Sequence, residues 1–291
     1  MCANNHPLRR VGHMALPEPK SSAGEAGLTA IRKNPARAVA AFDFDGTLAP
    51  IVADPEQARA HPGVVPALAR LAPRLAAVAV VTGRPAATAV EYGGFAGVPG
   101  LEHLTVLGQY GLQRWDAATG RLFTPEPLPG IAVLREELPA LLTEDGLWLE
   151  DKGHALAVHT RRTADPDAAL AALDGPLRAA AAQHGLAVEP GRMVLELRPP
   201  GMDKGVALTA FLREHDAASV LFAGDDLGDL AAYEAVDALR AAGTVDGLLV
   251  CSAPTTGEPP VRAIADRADL VVPGPQGVVA LLEALADALG C

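Results

Sequence analysis

Two carboxylates one residue apart, Asp43 and Asp45, stand where the apolar run AVAAF gives way to Gly46 and Thr47. A strand followed by a loop is the natural reading, because a short Ala/Val/Phe run is here bounded by turn residues. In an extended chain the two aspartates share a face, about 6.6 Å apart along the strand. That spacing suits a divalent cation held between them, with one carboxylate free to attack an electrophile and the other to move protons. The alternative is a solvated Asp-rich turn.

Three further segments carry chemistry-bearing residues at similar places. VAVVTGRP (78–85) is an apolar run ending in Thr82, followed by Gly83 and Arg84. GMDKGVAL (201–208) puts Lys204 at the start of an expected helix, with Asp203 as its N-cap. SVLFAGDDLGDL (219–230) ends in Asp225, Asp226 and Asp229. Each has an ordinary structural alternative. Thr82 can satisfy a turn, Lys204 can be a solvated first-turn lysine, and Arg84 can form a surface ion pair. The three acids can cap the helix that follows.

Taken in order, the four pieces (DxD, Thr, Lys, acidic cluster) resemble the haloacid dehalogenase superfamily of phosphotransferases. The resemblance implies that Asp43 is a nucleophile forming an aspartyl-phosphate. It implies that Asp45 protonates the leaving oxygen and then deprotonates the attacking water. Mg²⁺ would be held by Asp43, Asp225 and the backbone carbonyl of Asp45, with Asp229 binding a metal water or orienting a ligand. Thr82 and Lys204 would grip the non-transferring phosphate oxygens, where charge spreads during phosphoryl transfer. Phe44, Gly83 and Arg84 flank these groups as substrate contacts, and Asp226 has no assigned role.

Composition bounds the alternatives. At 291 residues the chain is long enough for a sizeable core and two units. With 49% hydrophobic but only 4% aromatic residues, that core must be built from Ala, Val and Leu. A net charge of −11 argues against a nucleic-acid partner, whose footprint would be basic. It does not argue against an anionic substrate, since a metal and a few cations reverse the sign locally. Cys2, Cys251 and Cys291 have neither paired nor metal-type spacing, as expected for free thiols in a reducing, cytoplasmic compartment. No apolar run approaches ~20 residues, so no membrane span is expected. The segment MCANNHPLRRVGHM lacks the apolar stretch of a signal peptide.

Strand and helix patterns alternate over 36–112 and again over 201–291. This implies an α/β fold with a Rossmann-like parallel sheet covered on both faces. Strands are expected at 38–43, 76–82, 104–108, 219–224, 247–251 and 269–272, and ligands bind beyond the carboxyl ends of such strands. Residues 1–35, rich in Pro, Ser, Gly and charge, read as a flexible or loosely docked tail. The middle, 113–200, reads as an inserted α+β unit, which in this superfamily is a cap. It comprises a hairpin turning at Lys152–Gly153, a helix over DPDAALAALDGPLRAAAAQHG, and a second hairpin turning at Pro190–Gly191.

Alternation along the insert's strands gives each an apolar side and a side mixing carboxylate and cation. Arg192, Val194, Glu196 and Arg198 fall opposite Met193, Leu195 and Leu197; Trp148, Glu150 and Lys152 alternate with Leu147 and Leu149. The polar side suits a polyol, whose hydroxyls both donate and accept, or it is an ordinary solvated face. The segments FDFDGTLAPIVADPEQA, VVTGR, LEDKGHALAVHTR, GRMVLELRPPGMDKGVAL and FAGDDLGDLAAYEAV together resemble the trehalose-6-phosphate phosphatases. By that resemblance Glu150, Lys152, Arg192 and Glu196 contact the sugar of a small sugar-phosphate substrate, with His159 and Arg161 nearby; no protein partner is implied. Two departures stand out. The turn Gly108-Gln109-Tyr110-Gly111 replaces a Gly-x-His-Gly type turn and receives no role, and arginine stands at 192 where lysine is common. Other readings are a phosphatase of sucrose-phosphate or mannosyl-phosphoglycerate type, a sugar phosphomutase, and a non-catalytic sugar-phosphate sensor.

Overall fold

The computed structural model describes residues 16–191, 193–255 and 259–291. Among the described residues, twelve strands form two sheets. They are β1 (Ala38–Phe42), β2 (Ala77–Val81), β3 (Leu104–Gly108), β4 (Gln113–Asp116) and β5 (Arg121–Phe123); β6 (Trp148–Asp151), β7 (Leu156–His159), β8 (Ala187–Gly191) and β9 (Val194–Arg198); and β10 (Ser219–Gly224), β11 (Asp246–Ala253) and β12 (Leu270–Pro273). The large sheet runs β12-β11-β10-β1-β2-β3-β4-β5, and its first six strands are parallel. The small sheet runs β6-β7-β9-β8 and is antiparallel throughout.

The near-continuous apolar runs make sense once both faces of the large sheet are covered. β1, β2, β3 and β10 are buried along their whole length. Along β1, Ala40 and Phe42 enter one hydrophobic cluster while Val39 and Ala41 enter the other. Successive side chains thus feed opposite cores, as the pleat requires. The small sheet has its own cluster, in which Leu156, Val158, Leu195 and Leu197 pack against Leu134 and Leu177 of helices Pro129–Glu137 and Pro166–Gln183.

Three expectations need correction. Within the stretch read as a tail, Ser22–Lys33 is a helix whose Gly24, Gly27, Leu28 and Ile31 form one buried stripe on the large sheet. Its glycines lower intrinsic helix propensity, which disguised it, but they permit close packing. A Cβ at Gly27 would collide with the Gly247 carbonyl oxygen of β11. Residues 1–15 lie outside the described residues. Second, the large sheet does not stop at 112, because β4 and β5 continue it, antiparallel, to Phe123. Third, Pro190–Gly191 is not the turn of the second hairpin. Both of those residues pair within β8, an edge strand where proline is tolerated. Met193 has φ of 59°, so it belongs to the turn and not to the apolar face of β9. Among the described residues no helix is long and apolar enough to cross a membrane.

Candidate active site

Strand order in the large sheet reverses between β1 and β10, the place where parallel α/β sheets open a crevice. Asp43 follows β1, Asp225 follows β10 and Thr82 follows β2, so all three stand at that edge. Lys204 arrives from the first turn of helix Lys204–Glu214, whose start is fixed by the Asp203 carboxylate accepting from the Val206 amide at 2.8 Å. Sequence separations of well over a hundred residues are thereby closed to hydrogen-bonding distance.

Lys204 Nζ is buried and lies 2.7 Å from Asp43 Oδ1 and 2.8 Å from Asp229 Oδ1. The other Asp229 oxygen accepts from the amides of Asp225 and Asp226, at 2.9 and 3.2 Å. Asp229 therefore braces the lysine and the loop after β10 together. Asp43, Asp225 and Asp229 each offer a carboxylate oxygen within 4.8 Å of the others. Thr47 Oγ1 donates to Asp225 Oδ1 at 3.2 Å. Gly46 has φ of 79°, and a Cβ there would come within 2.1 Å of an Asp225 oxygen, so glycine is what allows the β1 loop to approach the aspartate.

Crowding and burial of these acids set the electrostatics of the cluster. Burial, with Lys204 only partly offsetting it and Asp229 adding repulsion, raises the Asp43 pKa well above the usual carboxylate range. Burial and then the Asp43 and Asp229 charges push Asp225 up to about 10. Burial also raises Asp226, which caps the short turn Leu227–Asp229 by accepting from the Gly228 amide. Burial alone would lower the Lys204 pKa, but Asp229 and Asp43 outweigh it and hold the ammonium firmly protonated. One ammonium cannot neutralise three adjacent buried carboxylates. That ammonium together with a divalent hard cation can, and the all-oxygen donor set fits one. Because Asp229 already uses both oxygens, Asp43 and Asp225 are the freer ligands. The Asp45 side chain lies outside this trio.

Asp45 is held differently. Arg84 Nε and Nη2 bind its two oxygens at 2.6 and 2.7 Å, and Nη2 also reaches the Pro55 carbonyl. The guanidinium lies over the Tyr92 ring, 5.3 Å from its centroid. Of the two readings of Arg84 as a phosphate contact and as an ion-pair partner, the geometry shows the pair, and its partner is the other half of the DxD motif. Thr82 is buried, and its Oγ1 accepts from the Arg84 amide at 3.1 Å. The Phe44 side chain is fully buried in the core cluster, with the Arg84 guanidinium 5.8 Å from its ring centroid.

On the small sheet, Glu150, Ala157 and Glu196 form one cross-strand row, with the small Ala157 between the two carboxylates. Lys152 Nζ donates to Glu196 Oε2 at 3.0 Å, and His159 Nε2 bonds Glu150 Oε2 at 2.9 Å. The His159 bond, with Lys152 and Arg84 nearby, outweighs burial and lowers the Glu150 pKa. Glu196 and Arg198 are buried, whereas Glu150, Lys152 and His159 are half-buried and Trp148 is exposed, so the face is covered at one end and open at the other. Arg161 is exposed beyond the end of β7, and Arg192 lies outside the described residues. The sequence reading missed three groups. Thr47 follows the DxDG run directly and was in plain view. Buried Ser252, on β11, donates to the Gly46 carbonyl at 2.7 Å and carries no local signal. Tyr110, in the unassigned turn, donates to Glu196 Oε2 at 3.3 Å.

Comparison with known proteins agrees with this geometry. Residues 41–256 match the family model described as trehalose-phosphatase. A trehalose-phosphate phosphatase of Mycolicibacterium paratuberculosis is 38% identical over 208 residues, covering 67% of this chain and 50% of that protein, so the chain spans about half the length of the curated relatives it matches. Among solved structures, the C-terminal domain of the C. albicans trehalose-6-phosphate phosphatase superposes with a TM-score of 0.70 at 20% identity, covering 94% of this chain and 99% of that one. A haloacid dehalogenase-like hydrolase from Bacteroides thetaiotaomicron superposes at 0.54 and 16% identity, over 84% and 98%. These two likenesses establish the fold, and the family match covers most of the length: the chain belongs to the trehalose-phosphatase family.

Proposed function

We propose that the protein hydrolyses trehalose 6-phosphate to trehalose and phosphate through an aspartyl-phosphate on Asp43. The observation that carries this reading is Lys204 Nζ, bound at once to Asp43 and Asp229 beside Asp225 at the switch point of the sheet. Family membership and the names of the curated relatives support the substrate. Mg²⁺ is the ion the oxygen-only donors suit, held by Asp43, Asp225 and the Asp45 carbonyl, and it would supply charge neutralisation of the phosphoryl group.

The chain's own groups divide the work. In the first displacement an Asp43 carboxylate oxygen attacks phosphorus, and the bond from phosphorus to the sugar oxygen breaks. Asp45 gives its proton to that oxygen as it leaves. In the second, water attacks the aspartyl-phosphate, Asp45 takes the water's proton, and Asp43 is regenerated as phosphate departs. Lys204, and Thr82 through its hydroxyl, hold the non-transferring oxygens. Each Asp45 oxygen accepts one bond from Arg84 and keeps a second lone pair, so the guanidinium orients the carboxyl for its acid–base service. The small sheet with its helices acts as a cap, roughly 124–200, over the phosphate site; Glu150, Lys152, Arg192 and Glu196 read the sugar, and Gly83 and Arg84 line the passage between.

A phosphate-release panel across sugar phosphates, with Mg²⁺ and with chelator, tests the reading. The expected result is Mg²⁺-dependent release, fastest with trehalose 6-phosphate. Faster release from sucrose-phosphate or mannosyl-phosphoglycerate would reassign the substrate. Tight binding without turnover would make the protein a sensor.

A further inference from the structure

The turn after β3 holds two consecutive non-glycine residues in the left-handed region, Gln109 at φ of 46° and Tyr110 at φ of 59°. Such backbone is costly for side chains of this size, and it persists where surrounding contacts impose it. Here the contacts come from both sides of the candidate site. The Tyr110 amide donates to the Thr82 carbonyl at 3.0 Å and the Gln109 amide to the Arg84 carbonyl at 2.9 Å, which ties the turn to the loop after β2. The Gln109 side-chain amide donates to the Lys152 carbonyl, which ties the same turn to the small sheet.

The Tyr110 side chain repeats this bridging. Its hydroxyl donates to Glu196 Oε2 at 3.3 Å, and the Arg198 guanidinium stacks 4.0 Å from its ring centroid. The same hydroxyl lies against the loop after β2, where a Cβ on Gly83 would sit 2.8 Å from it. Burial, reinforced by Glu196, pushes the phenol up to about 12, so it remains a donor through the neutral range. Lys152 and Tyr110 both bond Oε2 of Glu196.

We propose that Tyr110 is a positioning residue for substrate specificity: it holds the Glu196–Lys152 pair in register with the Thr82–Gly83 turn and so sets the span over which phosphate and sugar are read together. The proposal rests on the reading of the protein as a sugar-phosphate phosphatase. Tyr110 acts through Glu196. Its removal therefore weakens recognition of the sugar more than it weakens phosphoryl transfer.

The test is a kinetic double-mutant cycle of wild type, Tyr110→Phe, Glu196→Gln and the double variant. Substrates are trehalose 6-phosphate, a panel of other sugar phosphates and p-nitrophenyl phosphate, and thermal midpoints are recorded alongside. Phenylalanine keeps the ring and the Arg198 stack, so only the hydroxyl is lost. The expected result for Tyr110→Phe is a KM for the preferred sugar phosphate raised roughly tenfold, the scale of one hydrogen bond to a charged group. The change in kcat is smaller, and the loss on p-nitrophenyl phosphate is at least fivefold weaker. In the Glu196→Gln background the same substitution costs less than about twofold, because coupled partners are not additive. Equal losses on both kinds of ester, or additive losses in the double variant, overturn the proposal. If wild type prefers another sugar phosphate, the substrate reading falls while the cycle on that ester still decides the role of Tyr110. Turnover of no sugar phosphate overturns both.

Discussion

The edge of the large sheet and the polar face of the small sheet are both built from carboxylates and cations, yet they are held in different ways. At the edge, the charged groups are braced by backbone or by one another inside the protein. Asp229 is fully buried and spends one oxygen on two amides and the other on Lys204. On the small sheet, the pairs Lys152–Glu196 and His159–Glu150 join side chain to side chain and are partly open to solvent on at least one partner. Rigid placement suits chemistry that is lost when a reacting atom moves by an ångström. Exchangeable side-chain pairs suit recognition, where a sugar hydroxyl replaces one partner with another. On the proposed function, the contrast teaches that a reaction and its selectivity can be given different kinds of surface in one molecule.

Substitutions at the two sites should separate along this line. The largest effect is expected at the edge: Asp43→Asn should cut phosphate release roughly 10⁴–10⁶-fold on every ester, the scale seen when a nucleophile is removed. A stopped-time phosphate assay on trehalose 6-phosphate and p-nitrophenyl phosphate checks this, and a loss confined to the disaccharide would erase the distinction between the sites. Asp45→Asn should cost about 10²–10⁴-fold in steady turnover, the range of general acid–base catalysis, while the first-turnover release of p-nitrophenol, a leaving group that needs little protonation, should be largely spared. Rapid-mixing and steady-state rates on the two esters separate the two displacements.

On the small sheet, Glu196→Ala and Lys152→Ala should each lower kcat/KM for trehalose 6-phosphate roughly 10–100-fold, as expected for lost hydrogen bonds to charged groups. The loss on p-nitrophenyl phosphate should be far smaller, and equal losses would mean that the face does not read the sugar. Smallest for activity is a substitution remote from both. Ile31→Ala, in the helix packed on β11, should cost about 2–5 kcal/mol of stability. It should leave kcat/KM within about twofold at a temperature where the variant is folded, because a core side chain with no contact to either site does not touch the reaction. Denaturant titration with a parallel rate measurement checks both halves.

How far each site can be read in the chain follows from the same contrast. The strands that carry Asp43, Thr82 and Asp225 are continuous apolar runs with charge or hydroxyl at the end, a pattern that local sequence displays. The brace by Asp229 was expected only as a metal or ligand contact, because its partners, the Asp225 amide and Lys204 Nζ, are backbone and tertiary features. β4 and β5 gave no strand pattern, since QRWD and RLF are short, and the second is exposed along its length. Helix Ser22–Lys33 was hidden by its glycines, and helix Pro129–Glu137 by a proline-rich approach. The Asp45–Arg84 and Tyr110–Glu196 contacts join residues 39 and 86 positions apart, across elements whose relative placement no local pattern encodes.

One measurement bears most directly on the claim that buried acids converge to leave Asp43 aimed at phosphorus. The Asp45→Asn variant is mixed with p-nitrophenyl phosphate, whose leaving group needs little acid, and Mg²⁺, quenched in acid within the first turnover, and mapped by peptide mass spectrometry. The account predicts a phosphoryl group on Asp43 that accumulates because the second displacement lacks its base. Slow turnover with no phosphoryl group on the peptide carrying Asp43, or with that group on another residue, would contradict it.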